Sequence, residues 1–247
     1  VEATSRGLQK KKSIRPQDVN FESKRHLGRG TFCDVHEVSM NRQTFAMKRV
    51  SSRAVARSTP KEIAAATTDL AREAALLATT KHENIVQMHG ISTGTLLDNG
   101  PIVSDDDEKC FFILVDQLEI TLGRKITEWQ EEQKMAQPPA WRVRKKCHKR
   151  LDQLMDRLQV ALGIAKGLKY LHEKNIVHCD IRPENVGFDK DGVVKLFDFG
   201  LAMKLKDGND TTRGIAGNRA YMAPELHLKK PYGTKVDVYA FAITLWQ

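Results

Sequence analysis

The chain has 247 residues, 40% of them hydrophobic and 29% charged, an ordinary globular composition with enough length to bury a core as one large domain or as two small lobes around a cleft. No apolar run is long enough to span a membrane and the first residues carry no signal-peptide pattern, so the expected location is intracellular, in the cytoplasm with the nucleus also open. The net charge of +9 suits acidic partners such as nucleotides, nucleic acid or anionic lipid. Much of the excess lies in "GLQKKKSIRP" and in "WRVRKKCHKR" at Trp141–Arg150, and "SDDDEK" at Ser104–Lys109 forms an acidic island. Few aromatics interleave these runs, so each reads as a solvated face and specific nucleic-acid binding is not expected. Cys33, Cys110, Cys147 and Cys179 are widely spaced with no CxxC pair. They read as free thiols in a reducing compartment rather than a disulfide framework or zinc site.

In chain order, residues 1–20 are polar and basic and read as a poorly ordered arm. From Phe21 to Val50 short alternating runs punctuated by Gly predict strands, in "HLGRGTFCDVHEV" and then "QTFAMKRV". Thr59-Pro60-Lys61-Glu62 carries a helix start, with Thr as cap, Pro at the first helical position and Glu reaching back as in a capping box. The helix is expected to run to about Thr80 with Ile63, Leu70, Ala74 and Leu77 on one face. "NIVQMHGIS" and "CFFILVDQL" read as strands separated by the polar loop Thr93–Lys109. "LDQLMDRLQVALGIAKGLKYLHEK" has helical periodicity and is expected to be a buried helix; "VVKLFDFGLA" is strand-like and "DVYAFAITLW" helical. A β-rich first third followed by a helix-rich remainder predicts two lobes of different class.

Several short patterns carry chemistry. Gly28-Arg29-Gly30 opens a stretch in which glycines let backbone amides approach phosphate oxygens, although two glycines alone also make an ordinary turn. Lys48 ends an apolar strand, and Glu73 on the following helix offers it a partner that would hold its charge in place, although by themselves a solvent-facing edge Lys and a surface Glu are the commoner case. Asp180, Asn185 and Asp198 supply two carboxylates and an amide, hard oxygen ligands suited to Mg²⁺ bound with substrate phosphates. Taken singly, each is also a common turn former or cap.

The order of "GRGTFCDV", "AMK", Glu73, "HCDIRPEN", "DFG" and "YMAPE" resembles the protein kinase family over about residues 21–247. Asp237 resembles that family's buried Asp on the central helix of the second lobe. The resemblance implies an α+β, two-lobed fold: a β-rich N-lobe with one helix at about 21–117, and a mainly helical, incomplete C-lobe at about 118–247. It implies ATP and Mg²⁺ as cofactors and transfer of the γ-phosphoryl group to Ser or Thr of protein substrates. Lys48 would contact the α- and β-phosphates and pair with Glu73, and Asp180 would accept the substrate hydroxyl's proton. Asn185 and Asp198 would hold Mg²⁺, and Arg182, where Ser/Thr kinases usually carry Lys, would touch the γ-phosphate. Leu27, Gly28, Gly30, Val35 and Ala46 would cover the nucleotide. Val115 would be a small gatekeeper, and Asp116, Gln117 and Leu118 the hinge whose backbone bonds adenine. "RPEN", "DFGLA" and "YMAPE" resemble Ser/Thr kinases more than tyrosine kinases. The reading from another class is a pseudokinase, a nucleotide-binding or scaffolding module. The sequence does not set an oligomeric state.

The pattern departs from the family at several places. Cys33 replaces a third Gly, with little expected effect on ATP binding. Cys179 replaces the Arg that receives an activation-loop phosphate, so phosphorylation of Thr211 or Thr212 would lack its usual receptor. A metal or redox role for Cys179 competes with that of a small buried hydrophobe, the commoner case. Gly187 stands where the family places Leu or Met beneath adenine, which removes about 1–2 kcal/mol of contact if nothing else fills the space. Asn218 replaces a Thr that bonds the catalytic Asp. The sequence ends at Gln247 inside the central helix, so the chain is expected to be a fragment with exposed core surface and little activity in isolation. The Lys48–Glu73 gap is longer than typical, and an insertion lies at about 119–157, expected as a solvated helical extension with a docking role as the alternative.

Overall fold

A computed structural model describes residues 13–15, 18–20, 25–92, 111–135, 143–205 and 217–247. The chain forms two compact units, residues 1–81 with 86–117, and residues 82–85 with 118–247.

The first unit is built on a six-stranded sheet. Its strands are β1 (Ser13–Ile14), β2 (His26–Arg29), β3 (Cys33–Met40), β4 (Gln43–Val50), β5 (Met88–Ser92) and β6 (Phe112–Asp116), in the order β1-β5-β6-β4-β3-β2. β3 and β4 join through Asn41 and Arg42, both at positive φ (52° and 62°). Two successive left-handed residues are what a two-residue hairpin needs to match strand twist, and Asn tolerates that region well. Val38, Met40, Phe45, Met47, Phe112 and Leu114 form the apolar core on one face of the sheet.

Two helices follow β4: α1 (Ser52–Arg57) and α2 (Pro60–Thr79). α1 was not expected, and it occupies the long interval between Lys48 and Glu73. α2 starts as its sequence predicts. Thr59 Oγ1 accepts from the Glu62 amide, and Glu62 Oε2 accepts from the Thr59 amide at 2.8 Å. Ile63, Leu70, Ala74 and Leu77 are all buried, together with Glu73.

The expectation of a poorly ordered arm over residues 1–20 is corrected for its described part. β1 pairs in parallel with β5, Ser13 opposite Ile91 and Ile14 opposite Ser92. Asn20 exchanges backbone hydrogen bonds with Ser39 at 2.8 and 3.2 Å. Ile14 and Val19 are 2% and 5% exposed and belong to the sheet core. Two apolar side chains within a basic, polar stretch suffice to dock it, because a sheet edge supplies the backbone partners.

The second unit contains β7 (Ile120–Thr121), α3 (Leu122–Met135), α4 (Val143–Glu173), β8 (Ile176–Val177), β9 (Val186–Phe188), β10 (Val194–Leu196), β11 (Met203–Lys204), α5 (Pro224–His227) and α6 (Lys235–Trp246). β10, β9 and β7 form one small sheet, and β11 and β8 another. Within α4 the expectation of a buried helix holds for Ile164, Leu168 and Leu171, but Leu151, Leu154, Met155, Leu158 and Leu162 are exposed. The sequence carries two apolar stripes at helical spacing, and periodicity identifies an apolar face without specifying what covers it. Most of the insertion read at about 119–157 falls in α3 and α4; residues 136–142 lie outside the described residues, as do Ser104–Lys109, Cys110, Thr211 and Thr212. No helix among the described residues is long and apolar enough to cross a membrane.

Candidate active site

The site residues fall into two groups, one on each unit. On the first unit, Lys48 lies in β4 between Val35 of β3 and Ile113 of β6. Its Nζ is 2.7 Å from Glu73 Oε2, and the Glu73 side chain is only 5% exposed. A carboxylate at that depth needs a partner, so the pair fixes an ammonium at one place on the sheet. Leu27 and Val35 are half-buried on β2 and β3; Ala46 is buried and paired with Val115.

The glycine stretch is the β2–β3 turn. The Gly30 amide donates to the Cys33 carbonyl at 2.7 Å, and the Ser51 amide donates to the Phe32 carbonyl at 2.8 Å. Gly28 and Gly30 flank Arg29, whose Nε bonds Asp34 Oδ1 at 3.2 Å. Burial works against ionisation of Asp34, but hydrogen bonds from Ser51 and Arg29 and the charge of Arg29 hold its pKa below the usual value. Cys33 is not among the residues at positive φ, so no glycine is required there.

Asp116 and Gln117 turn their side chains back onto the first unit. Asp116 Oδ2 accepts from the Gln87 amide at 2.9 Å, and His89 Nε2 meets Asp116 Oδ1 at 2.7 Å. Gln117 Nε2 donates to Glu37 Oε2 at 2.6 Å. These partners, His89, Gln87 and Glu37, carry no motif and were not identified from sequence.

On the second unit the loop after β8 is organised by Asp237, which is fully buried on α6. Its Oδ2 accepts from the His178 amide at 2.8 Å and lies 2.9 Å from His172 Nε2; its Oδ1 accepts from the Cys179 amide at 2.8 Å. These bonds hold Cys179 at φ 66°, a left-handed conformation costing about 1–3 kcal/mol for a residue with a side chain. The Cys179 carbonyl then approaches Gly217 so closely that a Cβ there would collide with its oxygen. Gly217 sits at φ +97°, so both space and backbone require glycine. His172 and Gly217 were also missed from sequence; a glycine directly before Asn218 was the available signal.

This geometry aims Asp180. Asn185 Nδ2 donates to Asp180 Oδ2 at 2.6 Å and to the Asp180 carbonyl at 2.9 Å, and the Asn218 amide donates to Asp180 Oδ1 at 3.1 Å. The Asn218 side chain is engaged elsewhere, accepting from the Ala220 amide at 3.0 Å. The replacement of Thr by Asn therefore leaves Asp180 a donor, the backbone instead of the side chain. Arg182 has its Nε 3.0 Å from Glu184 Oε2. Asp198 is at φ 61°, ψ 75°, opening a single 3₁₀ turn, Phe199–Leu201. The Phe199 ring packs against the His178 ring at 4.8 Å between centroids. His178 Nδ1 accepts from the Asp180 amide at 3.4 Å, which assigns the proton to Nε2, 3.2 Å from the Phe197 carbonyl.

The donor set fits Mg²⁺. Two acceptors of Asp180 fix the amide orientation of Asn185 and turn its NH₂ toward them, which leaves Oδ1 as the atom to meet a cation. With the Asp198 carboxylate this makes hard oxygen ligands, as a cation shared with phosphates requires. No cluster of three or more His, Cys, Asp or Glu able to hold a metal by itself exists among the described residues.

Cys179 packs as a small hydrophobe among Val177, Leu205, Met222, Tyr232 and Val236. Burial pushes its thiol up to about 12, reinforced by the charges of Asp237 and Asp180 and opposed by a hydrogen bond with Tyr232. The folded thiol stays protonated while an unfolded one ionises near 9.0, so its contribution to stability is complete at neutral pH and is lost as pH rises from about 9 towards 12. Near neutral pH, iodoacetamide should modify half-buried Cys33 well before Cys179, as read by peptide mass analysis. Equal labelling of the two in folded protein would contradict a buried, neutral thiol.

One unit thus carries a buried Lys–Glu pair on its sheet, and the other a loop that presents Asp180 and Asn185. The family model described as "Protein kinase domain" matches residues 21–247, and the chain belongs to that family. Among curated relatives, the G-type lectin S-receptor-like serine/threonine-protein kinase LECRK1 of Oryza sativa subsp. japonica is 47% identical over 93 residues, 36% of this chain and 11% of that protein. The rhodopsin kinase GRK1 of Rattus norvegicus is 44% identical over 84 residues, 34% of this chain and 15% of that protein. The matches thus span only about a tenth to a seventh of those relatives' length.

Proposed function

We propose that the protein transfers the γ-phosphoryl group of ATP, with Mg²⁺, to Ser or Thr hydroxyls of protein substrates. The observation that carries this reading is Asp180, with each carboxylate oxygen held by a separate donor, Asn185 Nδ2 and the Asn218 amide. A carboxylate fixed in this way is oriented to accept a proton while one lobe of each oxygen stays available. In the transfer, the substrate oxygen bonds to the γ-phosphorus, the bond from phosphorus to the β–γ bridging oxygen breaks, ADP leaves, and the hydroxyl proton passes to Asp180. Lys48, held by Glu73, would grip the α- and β-phosphates, and Arg182, two residues after Asp180, would meet the γ-phosphate. Asn185 and Asp198 would hold Mg²⁺, which when bound would neutralise charge on the phosphates. The names of the relatives, a serine/threonine-protein kinase and a rhodopsin kinase, support protein as the substrate class.

ATP binding is expected to strengthen when Mg²⁺ is added, and Asp198→Ala should remove both that dependence and the transfer of labelled phosphate. Titration calorimetry with and without Mg²⁺ checks the first, and a filter assay the second. Transfer that survives Asp198→Ala would remove Asp198 from the metal site; Mg²⁺-independent binding without transfer would favour the scaffolding alternative.

A further inference from the structure

One face of the first unit's sheet is closed by residues that precede the kinase domain. The family match begins at residue 21, so β3, β4, β5 and β6 belong to the domain, whereas Ile14 and Val19 do not. Side chains alternate along β4, so Phe45 and Met47 point away from the face that carries Ala46 and Lys48. On the face opposite Lys48 they join Val38 and Met40 of β3 and Phe112 and Leu114 of β6 in one cluster, which Ile14 and Val19 complete.

The preceding segment is held at two separate places. Ser13 and Ile14 add a short parallel strand beside β5, and Asn20 exchanges two backbone hydrogen bonds with Ser39 of β3. In the sheet order β6 and β4 lie between those anchors. Between Ile14 and Val19 the Asp18 amide donates to the Arg15 carbonyl at 2.9 Å, and the Arg15 guanidinium donates to both Asp18 carboxylate oxygens at 3.1 Å. Ser13, Arg15, Asp18 and Asn20 are all exposed, so the described segment enters the core through two side chains alone. A few backbone bonds to strands and apolar anchors set into a surface are the means by which an extended peptide binds a sheet.

We propose that the sheet face opposite Lys48 is a peptide-binding groove whose tethered ligand is residues 13–20, an extended segment with apolar side chains five positions apart, and that this segment releases and rebinds while the domain stays folded. The inference is independent of the chemistry proposed for Asp180. A short tether presents its ligand at an effective concentration of about 1 mM. A dissociation constant of about 0.1 mM, in keeping with two apolar anchors set against the ordering of a short peptide, then keeps the segment docked about ten times as often as free.

Native-state hydrogen exchange on the whole wild-type chain measures the release. The Asn20 and Ser39 amides should be protected only about tenfold, against about 10³-fold or more for Met47 in the middle of the sheet. Protection of Asn20 and Ser39 equal to that of Met47 would make the segment a fixed part of the core and overturn the proposal. Recognition is measured by fluorescence polarisation, with a labelled peptide of residues 10–21 titrated onto the Ile14→Asp/Val19→Asp protein. That variant, its own segment released, should bind the peptide at about 0.1 mM, and wild type about tenfold more weakly because its groove is filled. A peptide carrying Ile14→Ser and Val19→Ser keeps the charge and should bind neither protein. Equal binding of the two peptides, or no saturable binding to the variant, would overturn the groove. So would a variant without cooperative thermal unfolding, because the domain would then need the segment in order to fold.

Discussion

Asp180→Asn should lower phosphoryl transfer about 10³-fold while leaving ATP affinity within about threefold of wild type. The substitution keeps the size of the side chain and one oxygen, but an amide does not take up the hydroxyl proton. It also places an NH₂ where one of two donors now points, either Asn185 Nδ2 at 2.6 Å or the Asn218 amide at 3.1 Å. The aim of the group is disturbed along with its basicity. Initial rates at saturating Mg-ATP, beside calorimetric binding, measure both quantities. A fall of less than tenfold would mean that another group receives the proton.

Asp237→Ala should destabilise the protein by about 3–5 kcal/mol, because it leaves the buried His178 and Cys179 amides and His172 Nε2 without their acceptor. For a chain of this size the melting midpoint should fall on the order of 10 °C. The loss reaches the chemistry as well. Those bonds hold Cys179 in its left-handed conformation, from which Asp180 continues the chain, so transfer should fall even where the variant remains folded. A melting midpoint within about 2 °C of wild type would show that water or a neighbour satisfies the three donors.

How much of this was legible in the sequence depends on the kind of signal. The capping box at Thr59 and Glu62 was legible because both partners lie within one turn and local chemistry decides the outcome. The Lys48–Glu73 contact, 25 residues apart, was legible only through the family resemblance, because an apolar strand ending on Lys reads by itself as a solvent-facing edge and a lone Glu as a surface residue. The docking of Ile14 and Val19 was not, because a short apolar pair in basic surroundings gains its stability from a sheet edge that the local sequence does not display. The exposed stripe Leu151–Leu162 was misread for the complementary reason: helical spacing reports one helix's own face and nothing about its neighbour.

Within the site, Asp180, Asn185 and Asp198 stood out by residue type and order. Their supports did not, because His172, Gly217 and His89 act through tertiary geometry and form no short pattern. Cys179, read as a small buried hydrophobe sooner than a metal or redox group, packs among Leu205, Met222 and Val236 as part of the core. Gly187 looked like a missing contact until Leu118 was found in its place.

Transfer to Ser and Thr is read by phosphoamino-acid analysis after incubating wild-type protein with γ-labelled Mg-ATP and a basic protein substrate. Label is expected on Ser and Thr, and should be absent in the parallel Asp180→Asn reaction. ATP bound by the wild type with no label on any residue would contradict it.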